Sequence, residues 1–197
     1  MTKQSKAAAL PCAVFIWLSL TLSASADLKH RYSFSDAPGS ATVKDSVGTA
    51  PGTLHGGATL NGNGTLTLDG SDGYVDLPNG LISQLTNATF EAWVTFSGEG
   101  GAWQRVFDFG SNANGEDQQG TGRTYLFLTP RTGNAGPTRF AATLDPSGTP
   151  RENPILDAPT MAAGVQTHVA VTYSFTDKIA RLYVNGKPSL PEPSRSL

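Results

Sequence analysis

The sequence predicts an all-β fold, an antiparallel sandwich of two sheets, and three observations carry that prediction. Apolar residues recur with a period of two along most of the chain, the spacing that puts alternate side chains on one face of a strand. The 22 glycines and 13 prolines among 197 residues exceed the ordinary share, as short strands joined by tight turns require. Charged residues make up 15%, against about 25% in an average globular chain, which suits strands and turns better than solvent-facing helices.

The first segment reads as a targeting signal. Lys3 and Lys6 give a positive start, Leu10 to Leu22 (LPCAVFIWLSLTL) an apolar run, and Ala24-Ser25-Ala26 the small-x-small pattern of a cleavage site. The expectation is a signal peptide over residues 1–26, a folded domain over 27–187 and a Pro-rich irregular tail over 188–197, hence a secreted, extracellular or periplasmic protein. The apolar run is shorter than the roughly 20 residues of a spanning helix, so no membrane span is expected after cleavage. The only cysteine, Cys12, lies ahead of most of that run rather than at the cleavage point, which argues against lipidation. Beyond the leader there is no cysteine for a disulfide, a catalytic thiol or a thiolate metal site. The formal charge is −2 with no basic block, so no nucleic acid partner is expected.

Nine strands are expected in order. In Leu28 to Phe34, Leu28, His30, Tyr32 and Phe34 share a face. Thr65 to Asp69 and Tyr74 to Leu77 are short apolar runs bounded by glycine. In Ala88 to Phe96 (ATFEAWVTF), Phe90, Ala92, Val94 and Phe96 face one way and Thr89, Glu91, Trp93 and Thr95 the other. Arg105 to Phe109, Thr124 to Thr129 and Arg139 to Leu144 follow. In Thr167 to Phe175, Val169, Val171, Tyr173 and Phe175 alternate with His168 and its outward neighbours, and Ile179 to Val184 completes the set. Gly-rich joints between so many short strands favour a sandwich.

Asn185-Gly186 directly after a strand predicts a two-residue hairpin, since that dipeptide tolerates the positive φ angles required. The return segment reads KPSLPEPSRSL, in which Pro188, Pro191 and Pro193 lack the N–H a ladder needs, so the last strands are expected to be missing. Asn79-Gly80 and Gly56-Gly57 are turns or loop bends rather than phosphate cradles, because no helical pattern follows either.

The phrases LKHRYSF, LDGSDGYVDLP, TFEAWV, WQRVFDFG, TYLFLTP, THVAVTY and ARLYVNG, in that order, resemble the laminin-G-like, concanavalin A-like jelly roll of bacterial secreted proteins. No single phrase is specific, but seven in register span Leu28 to Gly186. The resemblance implies two antiparallel sheets packed face to face, often as a module attached to glycoside hydrolases or large surface proteins. The chain departs from the pattern after the Asn-Gly turn, where such domains continue with a further strand, a glycine-arginine phrase and a closing strand.

Hydrolases on this fold carry two or three carboxylates on one strand face, one to protonate the leaving oxygen and one to attack or to activate water. The chain has no such triplet. Glu91 is the only glutamate in a clear strand and has Trp93 where a second carboxylate should stand, so pairing with Arg105 or Arg181 is its expected role. His168 is expected to make a structural hydrogen bond, and His30 and His55 have no neighbours that promise a metal or acid-base site. Related domains often hold calcium, and Glu116 and Asp117 in SNANGEDQQGTG supply hard oxygen ligands for it. Their spacing matches no dedicated calcium loop. Asp69, Asp72 and Asp76 form a second acidic group, equally explained by turn hydrogen bonds.

A pyranose stacks its C–H face on an aromatic ring, so Trp93, opposite the Phe90 row, and Trp103, in GEGGAWQR, are candidate platforms, with Arg105 beside Trp103. Packing over a sheet edge, with Arg105 paired to Asp108, is the competing role for Trp103. The expected function is an exported, non-catalytic module that recognises a polysaccharide or another extracellular surface, standing alone or as a piece of a larger glycoside hydrolase or surface protein. A structural spacer is the alternative, and a glycosidase the least favoured reading. The targeting pattern yields a direct check: N-terminal sequencing of exported protein should begin at Asp27, and a mature chain retaining Met1 or Thr2 would remove the export reading.

Overall fold

A computed structural model describes residues 26–115, 118, 120–143, 152–174, 177 and 179–189. The described residues form thirteen strands and no helix. A three-stranded sheet orders β1 (Thr42–Val43), β2 (Gly52–His55) and β5 (Tyr74–Asp76), and β3 (Thr59–Leu60) pairs with β4 (Leu66–Thr67). Two four-stranded sheets make the body of the sandwich. One, the β11 sheet, sets β6 (Asn87–Thr95), β11 (Gln166–Ser174), β12 (Ile179–Val184) and β13 (Lys187–Pro188) side by side. The other, the β8 sheet, sets β7 (Phe107–Asn112), β8 (Gly122–Thr129), β9 (Thr138–Thr143) and β10 (Ile155–Ala158) side by side. All these pairings are antiparallel.

The core lies between the inner faces of the two four-stranded sheets. Val169, Val171 and Tyr173 of β11 and Ala180 and Leu182 of β12 meet Leu126 and Leu128 of β8 and Phe140 and Ala142 of β9, all buried. Phe90 of β6 stacks on Phe107 of β7 at 5.1 Å and meets Phe109 at 5.4 Å, joining the edge strands of opposite sheets. Period-two alternation does the sorting. β6 alternates exposed and half-buried residues along its whole length, and β11 alternates half-buried with fully buried ones after Gln166.

The hairpin forms as its dipeptide predicts, with Asn185 at φ +50° and Gly186 at +73°, both in the left-handed region a type I′ turn needs. The expected loss of the return strand is corrected in part. Lys187 and Pro188 pair with Val184 and Tyr183, and Ser189 N donates to Leu182 O at 2.7 Å. Proline is tolerated because β13 is an edge strand, where its missing N–H breaks no ladder.

Leu28 to Phe34 is not a strand. Among its residues only Tyr32 makes a ladder contact, an isolated bridge to Asp45, and Phe34 has φ +54°. The segment is fastened by one carboxylate instead. Asp45 has a side chain only 1% exposed, and it accepts hydrogen bonds from the backbone N–H of Arg31 (3.0 Å), Val47 (3.2 Å), Gly48 (2.9 Å) and Ala50 (3.2 Å), with His30 Nδ1 at 2.7 Å. Tyr32 Oη adds a bond to Ala50 O at 2.7 Å. Position 48 must be glycine, since a Cβ there would fall 2.5 Å from Asp45 Oδ2 and 2.7 Å from Lys29 O. His30 is therefore not solitary.

Burial by itself raises the pKa of Asp45, but the bonds from His30, Arg31, Gly48 and Val47 outweigh it and hold the carboxyl far below the usual range. A folded-state pKa below the unfolded value contributes stability that is complete above about pH 3.9 and is lost as pH falls through the folded value. Asp45→Ala should therefore lower the unfolding free energy by about 3 kcal/mol at neutral pH, since it leaves the part-buried N–H groups of Gly48 and Ala50 without their acceptor. In urea melts the difference from the parent protein should shrink as pH drops from about 4 toward 2; a difference independent of pH would contradict this role.

Candidate functional site

The residue pattern that fills the core also fixes what faces outward. On the β8 sheet, Leu126 and Leu128 point into the core, so Tyr125 and Phe127 point out. The register places Asp108, Phe127, Ala141 and Ile155 in one row across the four strands, with Arg139 opposite Asp157 in the next. Phe127 is nonetheless buried, because the chain folds back over it. Trp103 stands edge-on to its ring at 6.4 Å, Tyr125 stacks beside it at 6.0 Å, and the Arg105 guanidinium lies over it with Cζ 4.1 Å from the centroid.

Trp103 is held in place through its backbone. Its φ of +67° lies in the left-handed region, where a residue with a large side chain stays only if its surroundings dictate it. Its N–H donates to Arg131 O at 3.0 Å, and its own carbonyl accepts a short bond from Arg105 Nη1. Arg131 also grips the approach loop, donating from Nη1 to Gly98 O and from Nη2 to Gly100 O, both at 3.0 Å, with its guanidinium over Phe96. Gly98 supplies the turn at φ +83°. The outcome is a tryptophan tied at its backbone, its ring edge-on to Phe127 and 44% of the residue open to solvent.

Two ion pairs lie on this face. Arg105 Nε donates to Asp108 Oδ2 at 3.0 Å, and Arg139 grips Asp157 with two bonds of 2.7 and 2.8 Å. Burial pushes the Asp108 carboxyl above its ordinary value, with Arg105 acting against the shift. Burial also raises the Tyr125 phenol, helped by the charge of Glu152, whose Oε1 accepts from Tyr125 Oη at 3.3 Å. Arg139 is raised chiefly by its bonds to Asp157.

Of the sequence candidates, Trp103 and Arg105 are brought together, and Arg105 pairs with Asp108, the pairing that goes with the packing role for Trp103. Trp93 lies elsewhere. It faces out from the β11 sheet, 67% exposed and on the far side of the sandwich, with the His168 ring at 4.8 Å. The expected partners of Glu91 are corrected, since its Oε1 meets His168 Nε2 at 2.8 Å rather than Arg105 or Arg181. Arg105 belongs to the opposite sheet's face and is taken by Asp108. Glu116 and Asp117 lie outside the described residues. The other acidic group is occupied with folding: Asp69 Oδ1 accepts from the N–H of Ser71, Asp72 and Gly73, and Asp72 Oδ1 from Gly57. Those bonds from Ser71 and Gly73 hold the Asp69 carboxyl below its usual range. Among the described residues no group of three His, Cys, Asp or Glu is placed to hold a metal ion.

Tyr125, Phe127, Arg139, Glu152 and Asp157 were not among the sequence candidates. TYLFL is apolar at every position but the first, so alternation alone cannot say which side faces water, and Arg139–Asp157 requires the register with β10, a strand the sequence did not announce.

The profile of the concanavalin A-like lectin/glucanases superfamily, in its laminin G form, matches residues 69–192, and the chain belongs to that family. The match takes in β5 to β13, hence both four-stranded sheets and both outward tryptophans. No curated protein and no solved structure matches the chain.

Proposed function

We propose that the protein is an exported, non-catalytic recognition module that binds a neutral polysaccharide on the outer face of the β8 sheet, with Trp103 as stacking platform. The observation that carries this reading is the fixation of Trp103: a half-exposed indole, backbone in a strained conformation, clamped at its N–H and carbonyl by Arg131 and Arg105. A rigid aromatic with planar polar groups beside it meets what a pyranose offers, an apolar C–H face ringed by hydroxyls. Arg105 is engaged by Asp108 and Arg139 by Asp157, so neither of these two cations is free for a uronate. The lectin branch of the family supports carbohydrate as the ligand class, and the Lys-apolar-ASA leader supports export. On this reading residues 27–187 make up the recognition domain.

The family also contains glucanases, and Asp108 and Glu152 both act on the Tyr125 phenol from this face. Hydrolysis would need one of them protonated and unencumbered as the leaving oxygen departs. Burial raises the Asp108 carboxyl, but its oxygen is held by the Arg105 guanidinium and is not free to serve as the acid, which supports binding without turnover.

Calorimetry against gluco-, manno-, galacto- and xylo-configured hexaoses, with a polyuronate for comparison, tests the proposal. Binding of at least one neutral hexaose, weakened about tenfold or more by Trp103→Ala with the melting temperature little changed, is expected, a loss of about 1.4 kcal/mol. No reducing sugar should be released. Undiminished affinity in Trp103→Ala rejects the platform, and turnover abolished by Asp108→Asn or Glu152→Gln makes the protein an enzyme.

A further inference from the structure

We propose that the outer face of the β11 sheet, centred on Trp93, is a second and independent platform for a neutral polysaccharide strand, so that one chain presents two binding faces pointing away from each other. The inference rests on the reading of the Trp103 face as glycan-binding and extends it to a surface built by other strands.

Trp93 is the most exposed large apolar residue on the described surface, and nothing in its own strand calls for an indole there. The residues sharing its face along β6 are Asn87, Thr89, Glu91 and Thr95, so the ring stands in polar surroundings rather than in an apolar patch. Across the ladder its register partner is His168, whose ring lies 4.8 Å away at 45°, and whose Nε2 is bonded to Glu91 Oε1 at 2.8 Å. His168 is steadied in turn, its backbone N–H donating to Asn185 Oδ1 at 3.0 Å. Next to Glu91 stands Ala170, and beyond it Tyr183, so a small residue leaves a shallow step between the carboxylate and a second aromatic.

The choice of occupant follows from size and charge. A protein partner needs an apolar patch of some hundreds of Å², and a single indole among threonines supplies no more than about 200 Å². An anion would meet Glu91 first, and a cation would meet the imidazole that Glu91 already engages. Arg181 lies two rows away on the same face. A pyranose matches what remains: a flat apolar ring for its C–H face, and a carboxylate and an imidazole edge for its hydroxyls. The layout parallels the other face, where an exposed tryptophan also stands beside a basic residue engaged by a carboxylate. Since the inner faces of the two sheets meet in the core, one short sugar strand lying flat on one face cannot lie on the other.

The indole N–H resonances of the protein, assigned through Trp93→Phe and Trp103→Phe, separate the possibilities during titration with the hexaose that binds best. Shifts of both resonances, with two hexaoses bound per chain falling to one in Trp93→Ala, are the expected result. A shift of Trp103 alone, at one hexaose per chain, overturns the second platform and leaves the proposed function standing. A shift of Trp93 alone overturns the Trp103 reading and with it the two-faced arrangement. No shift of either indole overturns both. Because Trp93 is exposed, Trp93→Ala should keep its cooperative melt; if it does not, the resonance shifts of the unsubstituted protein still decide the matter.

Discussion

The nine-residue ladder between β6 and β11 is the constraint on which both the core and the outward surfaces depend. It pairs residues from Asn87 with Ser174 to Thr95 with Gln166 without interruption, and β11 carries the same alternation across to β12. Slipping it by one residue would turn Val169, Val171 and Tyr173 into water and bury His168, Thr172 and Ser174 in their place. Each aliphatic side chain so exposed forfeits roughly 1.5–3 kcal/mol, and together the losses approach the whole stability of a domain. The register is thus fixed by burial, and the position of Trp93 beside His168 follows from it. The same logic on β8 sets Tyr125 and Phe127 outward because Leu126 and Leu128 must point in.

Strand scaffolds of this kind hold outward side chains with little freedom, and the loops add the remaining restraint. Arg131 joins the end of β8 to the glycine loop before Trp103, so Trp103 is tied to the sheet it packs on. Asp45 plays a comparable part at the other end of the chain, gathering four backbone donors and an imidazole around one buried carboxylate. In both places a charged side chain organises irregular backbone that no ladder reaches, and in both a glycine keeps the approach open.

Much of this was legible in the sequence, and the failures have physical causes. Long strands with strict alternation, such as TFEAWV and THVAVTY, were placed to within a residue or two, because half-buried strands write their two faces directly into the pattern. Asn185-Gly186 announced its own backbone conformation. β1 and β3 went unseen because two residues carry no periodicity, β2 and β10 because four residues offer little, and β13 because its proline reads as a ladder breaker although the strand lies at a sheet edge. Leu28 to Phe34 has the alternation of a strand without a neighbour along its length, and only the tertiary position of Asp45 explains its shape. Among the candidates, alternation gives the outward direction of Trp93, and the glycine-rich approach draws attention to Trp103 and Arg105. The pairing of Glu91 with His168 depends on which strands are adjacent, a matter of topology that one strand's pattern does not contain.

The proposed sugar recognition rests on Trp103 receiving a pyranose ring on its exposed face. A crystal structure of the protein with a bound neutral hexaose tests that most directly. The prediction is a pyranose lying with its C–H face in van der Waals contact with the Trp103 indole, its hydroxyls toward Arg105 and Asp108, and the φ of Trp103 still positive. A hexaose bound only at the loops or at the β1-β2-β5 sheet, with the Trp103 face bare, would contradict it.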